Sequence, residues 1–239
     1  MEANDLIIKL HKAFGEHVEL PLAFWYSDTP VNTPQRVNGC YFKALNATRQ
    51  GTPIALDRDT IGCIGGKFYT GFCEFPEKMI PSFVSLKEKY KKTPDMVVDF
   101  VESIGFSPTE KAYLNFARID DLDTLDQAEG IIFFATPDVL TGLTAWAVFD
   151  SNERDAVCTP FGSGCSSTIS QVVAENQKNG KRTFLGLFDP SVRPHVEANI
   201  LSFSIPMSRL KEMYNTFDEC CLVDTHAWGK VKARINEGA

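Results

Sequence analysis

The chain reads as an α/β protein, with α+β as the alternative, built on a mixed sheet whose C-terminal half carries a parallel βαβαβ segment. Three observations predict this. Ile131-Ile-Phe-Phe-Ala135 is an unbroken apolar run of the kind a strand covered on both faces shows. Short strand-like runs at 156–158 and 183–187 follow, each separated from the one before by a helical stretch, which gives two crossover units in series. With 239 residues, 44% of them hydrophobic and 18 of them Phe, the chain can fill one core, so a single domain over 1–239 is expected.

Taken in order, Asp5 followed by Leu6, Ile7, Leu10, Phe14 and Val18 predicts an N-terminal amphipathic helix. Leu20–Tyr26 is a strand that runs into the turn-rich 27–34. Cys40–Arg49 is helical, closed by Gly51 and Pro53, and Ile54–Leu56 is a second strand. Between Asp57 and Phe75 four glycines break the pattern into a loop or a short interrupted helix. Met79–Tyr90 and Pro94–Ile104 are helical, with Pro94 at a first helical position after Thr93, and form an insertion at about 77–106 over one edge of the sheet. Ala112–Arg118 is a strand. After Ile131–Ala135, Thr136-Pro137-Asp138 supplies a cap, a helix-opening proline and an acid near the dipole for a helix to Phe149. Ala156–Cys158 is a strand, Phe161–Gly164 a glycine loop, Ser166–Asn176 a helix and Thr183–Leu187 a strand. Ile200–Ile205 adds another strand before helices at Met207–Phe217 and Thr225–Ile235.

The stretch Thr159-Pro-Phe-Gly-Ser-Gly-Cys-Ser-Ser-Thr168 stands where a strand hands over to a helix. Small residues there let backbone amides approach a ligand, and the free amides of a helix start favour an anion or a thiolate. Cys165 at that start is therefore expected to have a lowered pKa and is the candidate nucleophile. The plainer reading is that Ser163, Ser166 or Ser167 caps the helix while Cys165 packs as a small hydrophobe. If neighbouring strands are parallel, Thr136-Pro137-Asp138 and the Phe161–Cys165 loop share the carboxyl edge of the sheet and face one crevice. The glycines do not make a dinucleotide fingerprint, a lysine-bearing phosphate loop or a hydrolase elbow.

A second glycine loop, Ile61-Gly-Cys-Ile-Gly-Gly-Lys-Phe-Tyr-Thr-Gly-Phe72, offers Cys63, Gly65, Gly66 and Lys67, and reads equally as a tight turn. No pair of cysteines has Cys-x-x-Cys spacing. His11, His17, His195 and His226 are scattered, which favours ordinary structural roles.

Charge and composition set further limits. A net charge of -7 argues against a nucleic-acid partner, and Lys87, Lys89, Lys91 and Lys92 read as a solvated helix face. The start of the chain lacks the pattern of a signal peptide, and the longest apolar stretches are too short to span a bilayer. Seven cysteines, an odd number without framework spacing, point to thiols in a reducing compartment, so the expected location is cytoplasmic.

The segments Cys63-Ile-Gly-Gly-Lys-Phe-Tyr-Thr-Gly-Phe72, Ile131-Ile-Phe-Phe-Ala-Thr-Pro137 and Phe161-Gly-Ser-Gly-Cys-Ser166, in this order, resemble an uncharacterised bacterial and archaeal family known as domain of unknown function one hundred sixty-nine. The resemblance covers most of the chain and implies membership without an activity. It places the family's cysteines on Cys40, Cys63 and Cys165. A further cysteine of many relatives falls in the segment that here reads Leu185-Gly-Leu-Phe-Asp-Pro190, where this chain has none. If those positions hold a metal or cluster in relatives, this chain keeps three thiolates and needs Asp189, His195 or an outside ligand to complete the set.

The leading expectation is a small-molecule or cofactor-binding crevice formed by Cys63, Gly65, Gly66, Lys67, Thr136, Gly162, Ser163, Gly164, Cys165 and Ser166, with the cofactor left open. The alternatives are a thiol enzyme with Cys165 as nucleophile, and a metal or iron–sulfur protein using Cys40, Cys63 and Cys165. An apolar interface between copies of the chain, hinted at by the phenylalanine surplus, is also left open.

Overall fold

Successive strand residues point to opposite faces of a sheet, and here both faces are apolar. The computed structural model describes residues 1–34, 36–106, 108–160 and 162–237. Within them β1 Leu22–Ser27, β2 Ile54–Leu56, β3 Tyr113–Arg118, β4 Gly130–Ala135, β5 Val157–Cys158, β6 Thr183–Gly186 and β7 Leu201–Pro206 form one mixed sheet of order β2-β3-β1-β4-β7-β6-β5. Central β4 is buried at all six positions, as its apolar run predicts. Its Ile131, Phe133 and Ala135 enter one apolar cluster, and Ile132 and Phe134 enter the other. Each of these larger side chains contributes roughly 1.5–3 kcal/mol by leaving water.

The first face is covered by α1 Ala3–Phe14, α6 Pro137–Val148, α8 Met207–Thr216 and α9 His226–Glu237. The helical spacing of Leu6, Leu10, Ala13 and Phe14 turns one stripe of α1 inward, and Gly15 at φ 101° ends the helix. Trp146 of α6 is fully buried, edge-on to Phe217, and its indole N–H donates to the Met213 carbonyl at 2.8 Å. The second face carries α2 Phe42–Arg49, α3 Ile64–Tyr69, α4 Met79–Ser82, α5 Pro94–Ile104 and α7 Gln171–Gln177. α5 starts as its sequence predicts: Pro94 opens it, and the Thr93 hydroxyl accepts from the Met96 amide at 3.3 Å.

Two predicted helices open irregularly. Met79–Tyr90 breaks after α4 into a π-helical turn at Phe83–Lys87, where the Ser85 hydroxyl donates to the Pro81 carbonyl at 2.6 Å. The helix expected from Ser166 begins as a π-helical turn, Ser166–Ser170, before α7.

The parallel segment has one strand inserted into it. β4 and β6 are both antiparallel to β7, so they point the same way, and β5 pairs with β6 in parallel. β4, β5 and β6 thus share an orientation and end on one edge, but antiparallel β7 separates β4 from the other two. No helix among the described residues is long and apolar enough to cross a membrane.

Candidate functional site

Two loops meet first backbone to backbone. The Val37 amide donates to the Thr60 carbonyl at 2.8 Å, and the Gly62 amide donates to the Val37 carbonyl at 3.1 Å. A Cβ on Gly62 would lie 2.8 Å from the Val37 oxygen, so a glycine is required for this approach. The contact brings Cys40, just ahead of α2, beside Cys63, the residue before α3.

The other glycine loop closes the site from β5. Gly164 and Cys165 open the helical stretch that continues through the π-helical turn into α7. A Cβ on Gly164 would fall 3.0 Å from Phe42 and 3.1 Å from Leu187 and Val192, and one on Gly162 would fall 2.8 Å from Phe100. These two glycines are small because side chains pack on them. Gly65 differs, since its Cβ would meet only the Cys63 sulfur at 3.8 Å.

Between these loops and the helical insertion lies a cavity of about 370 Å³. Its loop side is formed by Cys40, Cys63, Gly65, Gly66, Gly162, Ser163, Gly164 and Cys165. Phe42, Tyr69 and Val192 add to the wall, and the insertion supplies Met79, Ile80, Phe83, Val84, Val97 and Phe100. Tyr90, Lys91, Asp189 and Ser191 complete it. Apolar Ile64, Met79 and Phe83 line the cavity and also face solvent, so the mouth is apolar too. The π-helical turn at Phe83–Lys87 contributes Phe83 and Val84 to the wall, a placement that recurs at functional sites.

Three residues assigned to the crevice from sequence do not line this cavity: Lys67, Thr136 and Ser166. Thr136 leads into α6 on the first face, whereas Cys165 packs in the second cluster. β7 and β6 also stand between the ends of β4 and β5, a separation of about 14 Å at ~4.8 Å per strand. The two loops therefore do not face one crevice. Thr136 also makes no side-chain cap; its carbonyl accepts from the Leu140 amide at 2.9 Å. Ser166 is buried away from the cavity, its hydroxyl accepting from the Gln171 amide group at 3.0 Å. Phe161 lies outside the described residues.

The helix start does hold an anion, and the chain itself supplies it. Asp189, only 2% exposed, accepts from the Gly164 amide at 2.6 Å through Oδ2. Its Oδ1 accepts from the Ser191 amide at 3.1 Å, the Val192 amide at 3.2 Å and the Ser191 hydroxyl. The Ser166 and Ser167 amides donate to the Ser163 carbonyl at 2.9 and 3.2 Å. The Gly164, Ser166 and Ser167 amides of this helix start are thus already paired.

This arrangement reverses the expectation for Cys165. Burial pushes its thiol well above the ordinary value, and nearby Cys40, Cys63 and Asp189 push the same way against a hydrogen bond from Tyr41. Burial also raises Cys40, opposed by the Phe42 amide and reinforced by Cys63 and Asp189. Neither His195 nor His226 lines the cavity, so no imidazole stands ready to take the Cys165 proton. Among the described residues, no group of three or more His, Cys, Asp or Glu side chains is disposed to hold a metal ion. With Asp189 committed to four donors within the chain, the residues as placed do not form the metal centre that the resemblance raised.

Residues 17–216 match the model of the family described as uncharacterised ArCR, domain of unknown function 169. The chain belongs to this family. The DUF169 match spans β1 to the end of α8 and so includes every residue lining the cavity. No curated protein and no solved structure matches the chain. The segment at 185–190 brings Asp189 beside Cys165. Sequence reasoning missed that role for Asp189, although Asp189-Pro-Ser191 is a recognisable turn in which an Asp side chain bonds the backbone two residues on. It also missed the insertion as a cavity wall, because nothing in a local pattern says which face a helix will cover.

Proposed function

We propose that this chain binds a small molecule in the cavity between the two glycine loops and the helical insertion. The observation that carries the reading is the convergence of the glycine loops at 63–66 and 162–165 on one cavity with apolar walls, of a size that suits a small ligand. Binding rather than thiol chemistry is the reading supported, because burial raises the Cys165 thiol and no histidine lines the cavity. We place this activity in the cytosol without a nucleic-acid partner, a reading supported by seven unpaired thiols and a net charge of -7.

A thermal-shift screen of small molecules against the wild type and Gly65→Leu tests this. Gly65 has room for a side chain, so leucine there plugs the cavity while the fold persists. The expected result is a set of compounds that raise the wild-type Tm and leave the plugged variant unchanged. Compounds that stabilise both proteins equally, or a screen without hits, would overturn the reading.

A further inference from the structure

Resting on that reading, we infer that the ligand is uncharged and apolar, and that Asp189 contributes to this preference by occupying the helix start at Gly164. The wall contributes ring faces and aliphatic groups from Phe42, Tyr69, Phe83, Val97 and Phe100. The Cys40 and Cys165 thiols are held neutral by burial. A charge brought against these largely apolar walls loses much of its hydration, whereas an apolar body gains from leaving water.

Two charged residues reach the wall, and each has a partner within the chain. Asp189 is bonded on both oxygens within the chain and adds negative potential at the base of the Gly164 amide. The Lys91 ammonium sits 5.4 Å from the centroid of the Phe100 ring, a cation–π contact. Asp189 opposes an anionic ligand and Lys91 opposes a cationic one, so neither sign of charge is favoured by both. Aromatic rings and thiols together suit a neutral aromatic or short aliphatic molecule, and 370 Å³ limits it to one or two fused rings with small substituents.

The test is equilibrium dialysis of three isosteric probes, 2-acetylnaphthalene, 2-naphthoate and 2-naphthylmethylammonium, against the wild type, Asp189→Asn and Gly65→Leu. The wild type is expected to bind the neutral probe at least about tenfold more tightly than either charged one. Gly65→Leu should lose the neutral probe, which fixes the binding to the cavity. Asp189→Asn should narrow the gap between the neutral probe and 2-naphthoate by about threefold or more, a readout that a merely structural role of Asp189 does not move. Binding of 2-naphthoate or the ammonium as tightly as the neutral probe, with sensitivity to Gly65→Leu, overturns the ligand class and leaves the cavity reading standing. An unchanged gap in Asp189→Asn overturns the role of Asp189. Failure of all three probes, together with a blank thermal-shift screen, overturns both readings, and if Asp189→Asn does not fold the wild-type comparison still decides the ligand class.

Discussion

At the scale of the residue, Cys165 shows how a correct local reading can reach the wrong chemistry. The helix start was legible, and helix starts lower thiol pKa values. What the sequence did not show is that Asp189, twenty-four residues away, takes the Gly164 amide and lies beside the sulfur, so burial and a neighbouring acid act together. The consequence is measurable. Exposed Cys63 should be alkylated by iodoacetamide at pH 8 while Cys165 resists until the pH is well above 9, read by mass spectrometry of the peptides. Stability should also fall at alkaline pH. A Cys165 raised in the folded state is fully stabilising below its unfolded value of 9.0, and that contribution is lost as pH rises through the folded value. Tyr41 and Tyr69, raised first by burial, add to the same loss at higher pH. Urea unfolding from pH 9 upward should show a slope that shrinks by about 1.4 kcal/mol per pH unit in Cys165→Ala.

At the scale of the element, glycine density proved a mixed signal. Gly62, Gly162 and Gly164 are contact glycines, fixed by a carbonyl or by side chains within about 3 Å of where a Cβ would stand, whereas Gly65 faces open space in α3. Sequence pattern found both loops and could not sort them, since the discriminating neighbours are Val37, Phe42, Phe100 and Val192 from elsewhere in the chain. Gly65→Ala should therefore raise stability by up to about 1 kcal/mol, the ordinary gain of alanine over glycine inside a helix. Gly164→Ala should cost about 1–3 kcal/mol through overpacking against Phe42, Leu187 and Val192. Thermal and chemical denaturation of the two variants side by side check both signs. The turn that aims Asp189 carries strain as well: Leu187 sits at φ 68°, a left-handed conformation disfavoured for a leucine by roughly 1–2 kcal/mol, and stays there buried against Gly164.

At the scale of the whole molecule, the mixed α/β class was legible because β4 has to be apolar on both faces, and a five-residue run that satisfies two cores is visible in one line of sequence. Strand order was not legible. β7 enters between β4 and β6 from seventy residues downstream of β4, a pairing that no local period records. Because β4 feeds both clusters, the two faces should unfold together. Tryptophan fluorescence, reporting Trp146 and Trp228 on the first face, and loss of Cys165 protection on the second should share one denaturation midpoint. Separate midpoints would mean that the faces are independent units.

The claim on which the rest depends is that a small molecule occupies the cavity, and the thiols report on it without a label. Alkylation of the wild type at pH 8 is followed peptide by peptide while 2-acetylnaphthalene is titrated to saturation. Cys63 at the cavity wall should slow in step with occupancy, while Cys221, packed against the opposite face, keeps its rate. A Cys63 rate that does not change at saturation, or a slowing shared equally by Cys221, would contradict the account.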